Sequence, residues 1–581
     1  MGAPASFSEI EQARRRILDT YSEAGYAFAD LSTALDFSPN RRHARLRVSV
    51  REGEQVRISA IYVRGASITR ESLIRSRLAL KVGEPYRMSD VRATEERLAT
   101  LGVFSTVRVG FEDPYVPARE KVVVVDVAER TPQYIEPLVG LSSGEGIRLA
   151  LEYGHLNLFR RAIQLTARTQ FGYLPSEFII DSDVREKYDR VLNTVLRRMT
   201  RQNSLALTFP DVGLGPLFRL RVEGLDVQRN SRDFQLAKQA NIDTLSFLPS
   251  RRLTVDFGGS LERNTVCLFP PVDTSGQSGT GCGDLYAYVQ ANPTYSLLFR
   301  VPAGTSLAVT QKVGISWDRR DIPLDATRGT SVNVTFEHVT AFPLGSSNAE
   351  LSGNGSSIAN PFRATHSEFL KTTNQVAGYV PIGRRGAALA LSFRWGLNLQ
   401  LKQDSSTYPD RLFFAGGVGT IRGFLQDSLV PEDIAQRVLH NGIPIDAVVI
   451  RGGDFYVNPR AEFRVPLTHT VHTTLFLDAG NVWTQAPSWM TLFRRQLTPL
   501  ENASWGNASN STSPANPVSV NYWRWRYSLG TGLRLATPIG PLAFDYGFNI
   551  ERVLDKLGYT SKANQRYWED LGAFHFSIGL F

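Results

Sequence analysis

From about residue 133 onward, apolar residues recur at every second position in one stretch after another. In "LALSFRWGLNLQL", Leu389, Leu391, Phe393, Trp395, Leu397, Leu399 and Leu401 share one face of an extended chain. Ser392, Arg394, Gly396, Asn398 and Gln400 share the other. "IQLTARTQF" repeats the pattern, with Ile163, Leu165, Ala167 and Phe171 opposite Gln164, Thr166, Arg168 and Gln170. This period belongs to strands, and the helical period is lost across the region. A soluble sandwich also alternates, but it rarely sets arginines on one face of long strands and large aliphatics on the other. In a membrane barrel the apolar face meets lipid and the polar face a wet lumen. No run of apolar residues reaches the roughly 18 needed for a transmembrane helix, a test that β-strands escape.

Connection lengths sharpen the expectation. Short links, "ATPIGP", "PLTHTVH" and "PIGRRG", alternate with long ones near 551–570, 484–524, 403–454 and 342–363 that are rich in Ser, Asn, Gly and Pro. Short turns on one rim and long loops on the other describe an outer-membrane barrel. The segmentation predicts sixteen antiparallel strands if 285–300 belongs to a long outer loop.

Residues 7–130 read differently. Ile10, Ala13, Ile17, Leu18, Tyr21 and Ala24 recur at helical spacing up to Gly25, a C-terminal stop. "ARLRVSV" then alternates as a strand. The strand "VRISAIYVRG" is followed by helices "TRESLIRSRL" and "SDVRATEERLATLG", with Thr69 and Ser89 as expected N-caps. Strands "VFSTVRVGFE" and "KVVVVDVAER" complete a β-α-α-β-β unit, a small sheet covered by two helices.

The net charge of +9 is scattered through alternating strands and gathers in no basic helix, so nucleic acid is not an expected partner. Cys267 and Cys282 bracket a Pro/Gly/Ser loop. They read as a disulfide of an oxidising compartment worth about 3 kcal/mol, with two free thiols as the alternative. Neither has a second ligand at metal spacing. "GLSSG" (140–144) fits a nucleophile-elbow pattern but falls on a strand without a following helix. His469 and His472 of "HTVH" sit in a short turn. The charges of "WDRRDIPLDATRG" read as a solvated turn network. No catalytic constellation emerges, and neither a cofactor nor a metal is expected. "MGAPAS" carries the pattern of a myristoylated terminus, taken as chance, and lacks the apolar core of a secretory signal.

One run remains. "FFAGGVGTIRGF" (413–424) sets a single arginine among glycines and aromatics, with no strand–loop–helix and no Lys-Ser/Thr pair for a nucleotide. With "AEFRVPL", "LFLDAGNVW", "GTGLRLATPIGPLAFDYG" and the terminal "GAFHFSIGLF", it resembles the bacterial outer-membrane assembly-factor superfamily. In that family, POTRA domains precede a sixteen-stranded barrel; BamA and TamA are members. "GEPYRMSDV" and "LATLGVFSTVRV" resemble POTRA motifs. The resemblance implies a partial POTRA domain over 1–55, a complete one over 56–131, and a barrel over 132–581 whose loop 403–454 folds inward. It further implies a natural chain extending beyond the N-terminus, with a signal peptide and more POTRA domains.

Carried over residue by residue, the loop motif is Gly419, Ile421, Arg422, Gly423 and Phe424. The lumen partners of Arg422 would be Glu462, Phe476 and Asp478, and strand parity agrees, since Phe476 and Asp478 share a face opposite Leu475 and Leu477. A guanidinium in a partly dry lumen needs a carboxylate, and a bidentate pair fixes its orientation. Glycines 416, 417, 419 and 423 would let the loop tip approach the wall. The last strand, with Gly572, Phe574, Phe576, Ile578, Gly579 and Phe581, would form a seam with "YIEPLVGLSS", its glycines weakening the pairing. The implied protein inserts or translocates unfolded outer-membrane or secreted clients through that seam, without cofactor or ATP. Its partners would be the outer-membrane bilayer, its clients, and periplasmic or inner-membrane accessory proteins bound through POTRA domains. The competing readings are a two-partner secretion pore exporting one client through its lumen, and a passive barrel.

Overall fold

The computed structural model describes residues 6–39, 44–269, 301–323, 326–344, 366–383, 386–402, 405–440, 445, 448, 450–487, 490, 522–537, 540–559 and 568–578. The chain forms two compact units, one of 1–134, 153–166 and 207–220, the other of the remaining residues.

In the first unit, α1 (Phe7–Glu23) ends before Gly25, whose φ of +89° continues no helix. β1 (Asp30–Phe37) and β2 (Ala44–Arg51) form a two-stranded sheet of their own. Then β3 (Arg57–Arg64), α2 (Glu71–Ser76), α3 (Met88–Ala99), β4 (Phe104–Phe111) and β5 (Glu120–Glu129) make a second sheet in the order β3-β5-β4. β5 is the middle strand, parallel to β3 and antiparallel to β4. That position explains its unbroken valines: Val123, Val124, Val125 and Val127 are all buried. Leu73, Ile74, Val91 and Leu98 of the two helices close over the sheet in one core.

The helix starts differ from expectation. Both begin beside an arginine, Arg70 and Arg87, and neither has a side-chain cap. Thr69 instead points its hydroxyl at Asn157, which donates to it at 2.9 Å, and Ser89 already lies inside α3. The amides ahead of α2 are satisfied by a carboxylate: Glu129 accepts from the main-chain N–H groups of Ser67, Ile68 and Thr69 at 3.0, 2.8 and 2.6 Å. Burial pushes the Glu129 carboxyl up, but the hydrogen bonds from Thr69, Ile68 and Ser67 outweigh it and hold the group at about 2.

Sixteen antiparallel strands, β6 (Gln133–Ser142) to β21 (Gly572–Ile578), close into a barrel. Outward side chains are apolar and exposed, as at Leu475 (56%) and Leu477 (45%), whereas Phe476 (1%) and Asp478 (0%) between them point inward and are covered. Among the described residues, short helices interrupt the long connections where no helical period is evident, among them Ser182–Val191, Val195–Arg198, Glu432–His440 and Ile550–Lys556. They are too short to be stable alone and form by docking and capping. Asp181 caps the first, and its Val184, Tyr188 and Val191 pack with Phe269. Cys267 is disulfide-bonded. Cys282, the stretch 285–300, Gly579 and Phe581 lie outside the described residues.

Candidate functional site: an arginine seat beside a thin seam

The connection between β16 (Ala387–Gln400) and β17 (Phe455–Pro466) turns inward and becomes buried. Its tip folds on Gly416 and Gly417, whose φ values of +108° and +92° suit glycine. Ile421 and Phe424 pack with Ala415, Leu429, Tyr456 and Val482, so the motif carries its own small core. Gly423 is needed for approach: a Cβ there would stand 2.6 Å from Ser528 Oγ on β19 (Arg526–Thr537). Gly419 has open space where a Cβ would be. Its carbonyl is what matters, accepting from Arg394 at 2.6 Å and Arg460 at 3.2 Å.

Between these glycines Arg422 is 1% exposed. Its Nε and Nη2 each donate at 2.8 Å to the two oxygens of Asp478 on β18 (Val471–Trp483). Nη1 donates at 2.7 Å to Glu462 on β17, and the guanidinium lies 3.5 Å over the ring of Phe476. The structure thus brings together the four residues that the motif had set apart. It adds Arg460, 3.2 Å from Asp478, and Arg464, 2.8 Å from Glu462. A guanidinium so far from water is tolerable only with such partners. Removing one member of a buried pair typically costs about 3–5 kcal/mol.

The seam lies close by. β20 (Gly540–Asn549) pairs with β21 along Leu542–Phe548. On its other side, among the described residues, β21 meets β6 in register only at Ser577↔Ser142 and Ile578↔Leu141. Ser143 adds one main-chain bond, donating to the Phe576 carbonyl at 2.9 Å. Gly572 contributes on the opposite side from the one expected: a Cβ there would stand 2.5 Å from the Gly547 carbonyl of β20, so it serves close packing away from the seam. Phe574 is exposed and outward, while His575 (5%) faces inward.

A family model described as "Omp85 superfamily domain" matches residues 144–581, and a POTRA model, "Surface antigen variable number repeat", matches 56–130. The chain belongs to the Omp85 superfamily. Its relatives include the outer membrane protein assembly factor BamA of Neisseria meningitidis, 20% identical over 571 residues and 92% of this chain. The chain spans 59% of that relative's length. Among solved structures, BamA from Haemophilus ducreyi lacking POTRA domains 1–3 is similar at a TM-score of 0.60 with 16% identity, covering 100% of this chain and 94% of that one. CdiB from Acinetobacter baumannii matches at a TM-score of 0.49 with 10% identity, covering 100% of this chain and 82% of that one. Membership places this Omp85 barrel in the bacterial outer membrane with its POTRA domain in the periplasm.

Two further nodes of the Omp85 barrel escape motif reading. Where the inward loop begins, Arg411 donates to Glu262 on β12 (Leu253–Leu268) at 2.6 Å and to Glu337 on β14 (Gly329–Pro343) at 3.1 Å. Its carbonyl accepts from Lys371 at 2.8 Å and Asn398 at 3.1 Å. Farther along, Arg526 on β19, fully buried, pairs with Glu569 at 2.7 Å and Glu432 at 3.4 Å. These partners lie far apart in the chain. Glu262, Glu337 and Arg526 sit on strands, where a charged residue on the lumen parity is a signal, whereas Arg411, Glu432 and Glu569 lie in connections and carry none.

Proposed function

We propose that this Omp85 protein inserts or translocates client polypeptides in the outer membrane by admitting them at the β21–β6 seam. One observation carries the reading. The described register at this junction is two residue pairs, where the neighbouring β20–β21 junction has seven. A strand edge with unsatisfied main-chain groups is costly in lipid, so a thin junction is where a client strand gains most by adding its own hydrogen bonds. The clients would be unfolded outer-membrane or secreted chains. In the POTRA sheet, the outer strands β3 and β4 offer edges for the same kind of pairing. Periplasmic or inner-membrane accessory proteins would bind there too. The work requires strand exchange alone, without cofactor, ATP or catalytic chemistry. Export through the lumen is the weaker reading, because the inward loop would first have to pull Arg422 from Asp478 and Glu462.

A disulfide lock tests the proposal. Ser142→Cys with Ser577→Cys places thiols at directly opposed positions. Oxidation should stop client insertion into proteoliposomes and reduction restore it. Undiminished insertion by the locked barrel would refute seam entry.

A further inference from the structure

The loop motif touches the seam strand itself. His575 Nε2 lies 3.0 Å from the main-chain carbonyl oxygen of Arg422, and the imidazole is buried. A carbonyl can only accept, so Nε2 carries the proton and donates. On β20, Gly547 backs the same oxygen: a Cβ there would come within 2.6 Å of it. Arg422 and its neighbour Gly423 are thereby held against consecutive strands. The side chain binds β17 and β18, the glycine lies on β19, the carbonyl fits against Gly547 of β20, and His575 reaches it from β21.

The same loop also reaches the other bank of the seam. A Cβ added to Gly144, just past the end of β6, would meet Gln426 at 3.6 Å, ordinary van der Waals distance. Among the described residues, β21 has its longer register on the β20 side, from Phe548↔Gly572 to Leu542↔Ile578. Toward β6, Gly572–His575 have no register partner among the described residues. On the lumen side of this stretch, His575 adds its bond to the loop.

We infer that His575 is a positioning residue that makes the seating of Arg422 and the closure of β21 on β6 one linked equilibrium. Coupling of this kind is reciprocal: a seated loop favours the closed seam, and a closed seam favours the seated loop. The inference rests on the seam reading for its meaning in function, but the coupling can be measured with no client present.

The test uses the full chain in nanodiscs, with Ser142→Cys and Ser577→Cys reporting seam closure through the rate of disulfide formation under mild oxidant. His575→Ala should slow trapping about 3–10-fold, the scale of one neutral hydrogen bond. His575→Gln, whose amide nitrogen can take the place of Nε2, should keep the parental rate. His575→Asn, one methylene shorter, should behave like Ala. Heat-modifiable gel mobility identifies folded barrels, and the Gln/Asn comparison stands even if the alanine variant fails to fold. Arg422→Ala should also slow trapping, and adding His575→Ala to it should change nothing more. Equal rates for Gln and Asn, or multiplying effects of the 422 and 575 substitutions, would overturn the coupling. Either result would leave the client-insertion test of the locked seam untouched.

Discussion

Two junctions flank the last strand, and they are built oppositely. Toward β20, β21 is zipped from Leu542↔Ile578 to Phe548↔Gly572, with Gly547 and Gly572 allowing close approach. Toward β6 the described register is two pairs and one added main-chain bond. The firm side is also the braced side, because Arg422 joins the loop to β17 and β18 and His575 joins it to β21. Closure of a barrel removes strand edges. Among the described residues, β21 has its shorter register toward β6, and the loop bonds β21 beside it through His575. Under the proposed seam entry, such an asymmetry would localise opening, so that a client would meet one predetermined edge.

The largest expected effect comes from moving the lock across that strand. A disulfide at Ser142→Cys/Ser577→Cys should abolish insertion. The same chemistry at Ala543→Cys/Ser577→Cys, opposed on the β20 side, should leave it near the parental level. Equal inhibition by both locks in the proteoliposome assay would erase the distinction between the junctions. Next in size, Arg422→Ala leaves Asp478 and Glu462 without their shared cation and should lower barrel stability by roughly 3–5 kcal/mol in urea unfolding from micelles. Arg411→Met tests whether the start of the loop matters as much. Arg411 bridges two carboxylates but is 13% exposed, so a smaller loss of roughly 1.5–3 kcal/mol is expected. Gly547→Ala should strain the seat directly, since its Cβ would press on the Arg422 carbonyl, at about 1–3 kcal/mol.

Much of this architecture is legible in the chain because strands have a period of two. Parity alone sets Phe476 and Asp478 against Leu475 and Leu477, and burial separates the two pairs accordingly. The valine run of β5 announces a strand covered on both faces. Other features leave no local trace. Arg411 finds Glu262 from 149 positions away and Glu337 from 74, so no spacing rule could join them. Thr69 and Ser89 have good capping chemistry, yet Glu129 from the far end of β5 serves the amides ahead of α2. The helix Ser182–Val191 exists because Asp181 and Phe269 hold it, the second being distant in sequence. Closure of the seam is a matter of register between the two ends of the barrel sequence, and alternation carries no register across that separation.

The smallest expected effect concerns the POTRA unit and tests whether acid acts on it separately from the seam. The Glu129 carboxyl sits at about 2 against an ordinary 4.5, held down by the hydrogen bonds ahead of α2. A depressed carboxyl favours the folded state only while ionised, so its contribution is complete above pH 4.5 and fades as pH falls toward 2. Because the group is only partly buried, solvent screening reduces the effect to roughly 1 kcal/mol. Hydrogen exchange on the full chain should therefore show the amides of Ser67, Ile68 and Thr69 losing protection through that window. Glu129→Gln should lower their protection at neutral pH and flatten the acid dependence. Disulfide trapping at the seam should be indifferent to the Gln substitution when compared at one pH. A Glu129→Gln change that altered seam trapping would mean that the POTRA sheet and the β21–β6 junction are not independent.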